Sequence, residues 1–310
     1  MKVINFSNQR SYFFLSVVLS ILFYRDFLIN YRMMLLDDFF AYYHYQNLII
    51  YYETGNKEFM DNLPMNMRFF GLILQYAIFK FIPCFSLTNI PTENFIHPLF
   101  QCSTFSLAFL NYILKILIIV SFFYYMKKTL KRNGSEISIS IILCFIFLNY
   151  VESYTFDRLT IFYTLLILIF LNNKVFSSIL IILSFLVNEK IIVIVGPLLF
   201  IKLFFNKEKK YKNQFIFSCV SLILYFVLYF YLKNYMGYTT SHYYDGAGLN
   251  RLFLTFKDKS HISNSIIPLI FCLIPYLVYL LDRNKYKINF SPLEVLILIP
   301  LILLAFGGGN

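Results

Sequence analysis

The chain has 310 residues, of which 59% are hydrophobic and only 14% charged, against about 25% charged residues in an ordinary soluble domain. That balance predicts an integral membrane protein and excludes a water-facing domain built around one buried core. The formal charge of +11 does not call for nucleic acid, because its placement along the chain accounts for it.

Apolar segments lie near 11–29, 68–83, 103–126, 137–151, 158–171, 175–187, 190–205, 214–232, 265–281 and 293–306. Lys2 and Arg10 precede the apolar run at 12–24, which ends in "FYRDF" with no small-x-small cleavage site, so the run reads as a retained signal anchor. If all ten segments crossed a bilayer, "KKTLKRNG" (127–134) would face outside, against the positive-inside rule. Demoting 68–83 repairs every later loop. This segment has 16 residues, carries Arg68, Gln75 and Lys80, ends at Pro83, and suits a helix lying on the membrane surface.

The expected fold is therefore an all-α polytopic membrane protein of about nine transmembrane helices. It forms one transmembrane domain over 1–310, with external loops at 25–102 and 233–264. The chain stops at "LLAFGGGN" straight after an apolar run, which reads as a truncated C-terminus. In this arrangement fifteen basic residues face four acidic ones inside, while eleven basic and twelve acidic residues lie outside. All four histidines (His44, His97, His242 and His261) also fall outside, so titratable chemistry concentrates on one face.

"LLDDFFAYYHYQNL" (35–48) sets Asp37 and Asp38 at the start of a predicted helix that ends near Gly55. At about 100° per residue the two carboxylates diverge, Asp37 sharing a face with Ala41, His44 and Leu48, and Asp38 with Tyr42 and Tyr45. One can then face a cleft while the other orients a neighbour or binds a cation. Plain capping of a helix at an interface is the competing reading.

The order Asp-Asp-x-aromatic-Ala-Tyr, then Asn47-Leu48, then Gly55, resembles the first external loop of GT-C superfamily glycosyltransferases. The resemblance covers residues 1–205 in organisation. It implies inverting sugar transfer from a polyprenyl-phosphate-linked donor to a glycan, lipid or protein acceptor. The site would lie on the extracytoplasmic face of a multi-pass cytoplasmic membrane protein, with Asp37 or Asp38 as general base. It also implies a lysine at an outer hinge facing the carrier phosphate, which "VNEK" matches at Glu189 and Lys190, and a second acidic residue in a later external loop, matched by Asp157 beside Arg158.

Read without the resemblance, Lys190 pairs with Glu189 or snorkels, and Asp157 with Arg158 forms an ion pair in a solvated turn. Arg68 is a further phosphate candidate. His242, Asp245 and Arg251, beside Gly246 and Gly248, suit sugar or acceptor binding or a structured loop. His242 and Asp245 leave a divalent cation open as a cofactor. Lys115 sits in mid-segment as a functional candidate or as the partner of a polar group on a neighbouring helix. Cys84 and Cys102 read either as a disulfide or as small apolar residues. Cys144, Cys219 and Cys272 read as packing residues. Walker A, Rossmann, H-E-x-x-H and G-x-S-x-G patterns are absent. The alternative functions are an O-antigen or exopolysaccharide polymerase and, from another class, a transporter or lipid flippase.

Overall fold

The computed structural model describes residues 4–36, 44–60, 67–84, 99–129, 134–150, 156–205 and 207–235. Nine α-helices are described: α1 (Ile4–Leu36), α2 (His44–Thr54), α3 (Phe69–Phe81), α4 (Phe100–Tyr124), α5 (Gly134–Tyr150), α6 (Asp157–Phe170), α7 (Lys174–Leu183), α8 (Glu189–Phe200) and α9 (Lys212–Tyr235). The fold is all-α, as composition and periodicity lead one to expect.

The nine-span arrangement is corrected over the described residues; its segments at 265–281 and 293–306 lie outside them. Crossing a bilayer takes about 20 helical residues. Among the described residues only Phe100–Lys127 and Lys209–Tyr235 are long and apolar enough to do so, by length and composition. Helices α5, α6, α7 and α8 have 17, 14, 10 and 12 residues. The apolar runs that suggested spans are interrupted: a 3-10 turn at Ser184–Leu186 ends α7, and a π turn at Ile201–Phe205 follows α8.

Helix α4 is the hub, packing against α1, α2, α3, α5 and α6. Small residues explain this, since Ser103, Thr104, Ser106 and Ala108 are all buried and let neighbouring backbones come close. Polar bonds tie the same seam: Gln75 Nε2 donates to the Ser103 carbonyl at 3.3 Å, and Ser103 Oγ to the Gln46 carbonyl at 2.9 Å. Around it lies one core holding Tyr31, Tyr45, Leu48, Leu107, Phe156 and Ile191.

Residues 25–36 belong to α1, and α3 packs against α2 and α4. Arg68 and Gln75, expected at a headgroup boundary, are both buried. Gly71 shows how tightly α3 fits: a Cβ there would sit 2.6 Å from Cε2 of Phe156. Gly55, at φ +69°, ends α2, and its N–H donates to the Tyr51 carbonyl at 2.8 Å.

Cys84 and Cys102 form a disulfide that joins the chain after α3 to the first turn of α4. Cys144 is half-buried and Cys219 exposed, so the packing role holds for the first better than for the second. Cys272 lies outside the described residues.

Helices α7, α8 and α9 form the second part of the bundle, with α6 bridging them to α4. Helix α8 buries Ile191, Ile192, Val195 and Leu199, whereas α7 and α9 meet through polar side chains and turn apolar ones outward, the reverse of a water-facing pair. Ser177, Ser178, Gln214, Ser218 and Ser221 point inward, while Val175, Phe176, Ile223 and Val227 point out. Ser184 and Ser221 hydroxyls meet at 3.1 Å, and Gln214 Nε2 donates to Ser177 Oγ at 3.2 Å.

Candidate functional site

Helices α3, α6 and α8 bring their N-termini to one place. Each N-terminus exposes backbone N–H groups that have no carbonyl in the preceding turn, and carries about half a positive charge. The caps differ. Asn188 Oδ1 accepts from the Lys190 N–H at 3.0 Å at the start of α8. Arg68 and Phe156, the cap residues of α3 and α6, make no side-chain cap bond.

Two ion pairs lock these termini together. Arg68 Nη2 donates to Glu189 Oε1 at 3.0 Å, joining α3 to α8 across 121 residues of sequence. Lys190 Nζ donates to Asp157 Oδ1 at 2.9 Å, joining α8 to α6. Glu189 and Lys190 do not pair with one another. Asp157 and Glu189 are each the first residue of their helix, where the helix dipole favours a carboxylate.

Arg68 is 4% exposed, and its second contact is a 2.6 Å hydrogen bond from Nη1 to the Tyr45 hydroxyl. The Tyr45 ring packs on Phe156 at a centroid distance of 4.0 Å, and Phe156 in turn fills the space beside Gly71. Tyr45, Phe156 and Gly71 therefore set the position of the guanidinium. Burial alone would raise the Glu189 carboxyl, but the Arg68 charge, a backbone N–H and Lys190 outweigh it and hold the group below the usual carboxylate range.

Arg158 turns away from this cluster. It is 3% exposed, donates from Nη2 to the Leu148 carbonyl at 3.3 Å, and its pKa is pushed down to about 10 by burial, against the opposing charge of Asp26. It is not the exposed partner of Asp157 that a solvated turn would give. Lys115 also has a partner: its ammonium bonds Asp26 of α1 and, at 2.6 Å, Asn149 Oδ1 of α5, and it lies 4.6 Å from the centre of the Phe23 ring.

The structure thus brings together Arg68, Asp157, Glu189 and Lys190 and sends Arg158 inward. Asp37, Asp38, His242, Asp245 and Arg251 lie outside the described residues. Among the described residues no three His, Cys, Asp or Glu side chains are grouped to hold a metal ion. Tyr45, Asn188 and Asp26 join the site without having been singled out from the sequence as site residues; Asn188 stands in the "VNEK" match, Tyr45 on the Asp38 face, and Asp26 as an acid within "FYRDF" at the end of an apolar run.

The remaining hydrogen-bonding capacity of the cluster favours donors. Asn188 is 1% exposed, and its Nδ2 has no partner among the described residues. Lys190 is 39% exposed and has N–H groups beyond the one given to Asp157. On the acceptor side, Glu189 Oε2 has no partner there either.

No family model matches the chain, and neither a curated protein nor a solved structure matches it. This finding corrects the resemblance to GT-C glycosyltransferases, and with it the assignment as a polyprenyl-phosphate-dependent membrane transferase of the cell envelope. The expected multi-pass placement with an extracytoplasmic active site is corrected by the finding that, among the described residues, two helices are long and apolar enough to cross a membrane.

Proposed function

We propose that the described helices form a binding module for an acceptor-rich, anionic ligand, with a phosphate ester as the favoured class, held where α3, α6 and α8 begin. One observation carries the reading: two helix N-termini without side-chain caps meet a third beside Arg68 and Lys190, where the buried amide donor of Asn188 has no partner among the described residues. Helix N-termini bind phosphate through aligned N–H groups and dipole charge. The two carboxylates already have cationic partners, so a phosphate meets donors rather than bare negative charge. Nothing in the cluster selects the organic part.

A ligand present at about a hundred times its Kd stabilises the folded state by about 2.7 kcal/mol. The full chain is melted in inorganic phosphate and in chloride at matched ionic strength. Phosphate should raise Tm further, and Lys190→Gln and Asn188→Ala should each remove much of the difference. Equal Tm values in the two salts would leave the cluster as a staple between helices and end the proposal.

A further inference from the structure

Helices α6 and α8 run from the Arg68–Glu189 and Lys190–Asp157 pairs to a second, chemically different end. The turn after α6 is residues 171–173, and α8 is followed by the π turn Ile201–Phe205 and the 3-10 turn Lys209–Tyr211. These turns touch: the Tyr211 hydroxyl donates to Asn172 Oδ1 at 3.2 Å, and Gln214 Nε2 to the Leu171 carbonyl at 3.3 Å. Lys174 therefore sits beside the segment 207–212.

That segment reads Lys-Glu-Lys-Lys-Tyr-Lys. Lys174, Lys207, Lys209, Lys210 and Lys212 are all exposed. Glu208 is the single acidic residue between 190 and 212, and it is already shared by Lys202 at 3.7 Å and Lys210 at 3.3 Å. The lysines stand on a built support. Tyr211 is buried beneath them, with Lys202 and Lys210 over its ring at 5.1 and 4.8 Å. Lys207 takes a left-handed φ of +56° that turns the chain there.

The surface leading away from this plate is apolar. Val175 is 72% exposed, and Phe176, Phe204, Ile216 and Val220 are exposed with it. The α7–α9 seam is sealed by Ser177, Gln214 and the Ser184–Ser221 pair, with hydrocarbon outward. Helices that associate through small polar residues and turn their apolar faces outward are built for surroundings as apolar as those faces. A basic band bordering such a face matches a lipid interface: lysine stems lie along apolar surface while their heads reach acidic headgroups.

We propose that the basic plate formed by Lys174 and Lys207–Lys212 is a docking surface for anionic lipid headgroups, with the outer faces of α7 and α9 against the acyl chains. The lysines suit acidic headgroups by charge, and the polar seam and apolar outer faces of α7 and α9 favour lipid over an acidic protein or nucleic acid.

The full chain is diluted from a neutral detergent onto phosphatidylcholine vesicles, with or without a minority of phosphatidylglycerol, and bound protein is sedimented. The apolar faces act in both vesicles, so the difference reports the lysines. Each lysine near an anionic surface is worth roughly a fivefold gain in partitioning. Wild type should prefer the anionic vesicles more than tenfold. The preference should fall steeply with salt and largely vanish in a variant with Lys207→Gln, Lys209→Gln, Lys210→Gln and Lys212→Gln. A variant with Lys→Arg at the same four positions should keep it. Equal partitioning onto the two vesicles, a preference that persists in high salt, or a glutamine variant that behaves as wild type would each overturn the proposal.

Discussion

Glu189 and Lys190 are consecutive in sequence yet bind different helices, Glu189 reaching Arg68 at the start of α3 and Lys190 reaching Asp157 at the start of α6. Successive residues in a first helical turn point about 100° apart. That divergence lets one turn of α8 clasp two neighbours, and it makes the two pairs separable by mutation.

Arg68→Met should destabilise the protein by about 3 kcal/mol, because it leaves the largely buried Glu189 carboxylate without its cation. Denaturant unfolding measures the loss. Adding Glu189→Met should recover a substantial part of it. A double variant less stable than Arg68→Met alone would contradict the pair's role.

The acid limb of stability should depend on Glu189. Its folded pKa lies below the ordinary carboxylate value of about 4.3. The pair's contribution is therefore complete above that value and is lost as pH falls through the lower folded pKa. Unfolding titrations of wild type and Glu189→Gln should converge as the medium becomes strongly acidic. Parallel curves would remove Glu189 from the account.

At the Lys115–Asp26 pair the two single substitutions should differ. Lys115 is 1% exposed and Asp26 is 30% exposed. Asp26→Leu strands an ammonium away from water and should cost about 3 kcal/mol, whereas Lys115→Met leaves a carboxylate that hydrates and should cost less. Equal losses on thermal unfolding would argue against the burial difference as the cause.

Gly71→Ala should cost about 1–3 kcal/mol through overpacking, since the added Cβ would press on Phe156. Phe156 backs Tyr45, which holds Arg68, so any phosphate-dependent rise in Tm should shrink along with stability. Phe156→Leu in the same chain should relieve part of the strain. No relief would place the clash elsewhere.

Reducing the Cys84–Cys102 disulfide, or replacing both residues by serine, should cost about 3 kcal/mol, as expected for closing a loop of 18 residues. Thiol labelling under denaturing conditions confirms the oxidised starting state, and unfolding with and without reductant gives the difference.

The sequence by itself determined the all-helical class, the stop at Gly55, and the residues from which a charged cluster can be drawn, because periodicity and composition are local properties. It misjudged the nine spans for the same reason. An apolar run does not show where a helix breaks, and the turns at Ser184–Leu186 and Ile201–Phe205 appear only once the chain is packed. Tertiary structure alone decided the partners. Arg68 meets Glu189 across 121 residues and Lys115 meets Asp26 across 89, whereas helical geometry fixes only which residues share a face. It also decided that Arg158 turns inward while its neighbour Asp157 faces Lys190, since α5 offers the Leu148 carbonyl on one side and α8 offers a cation on the other.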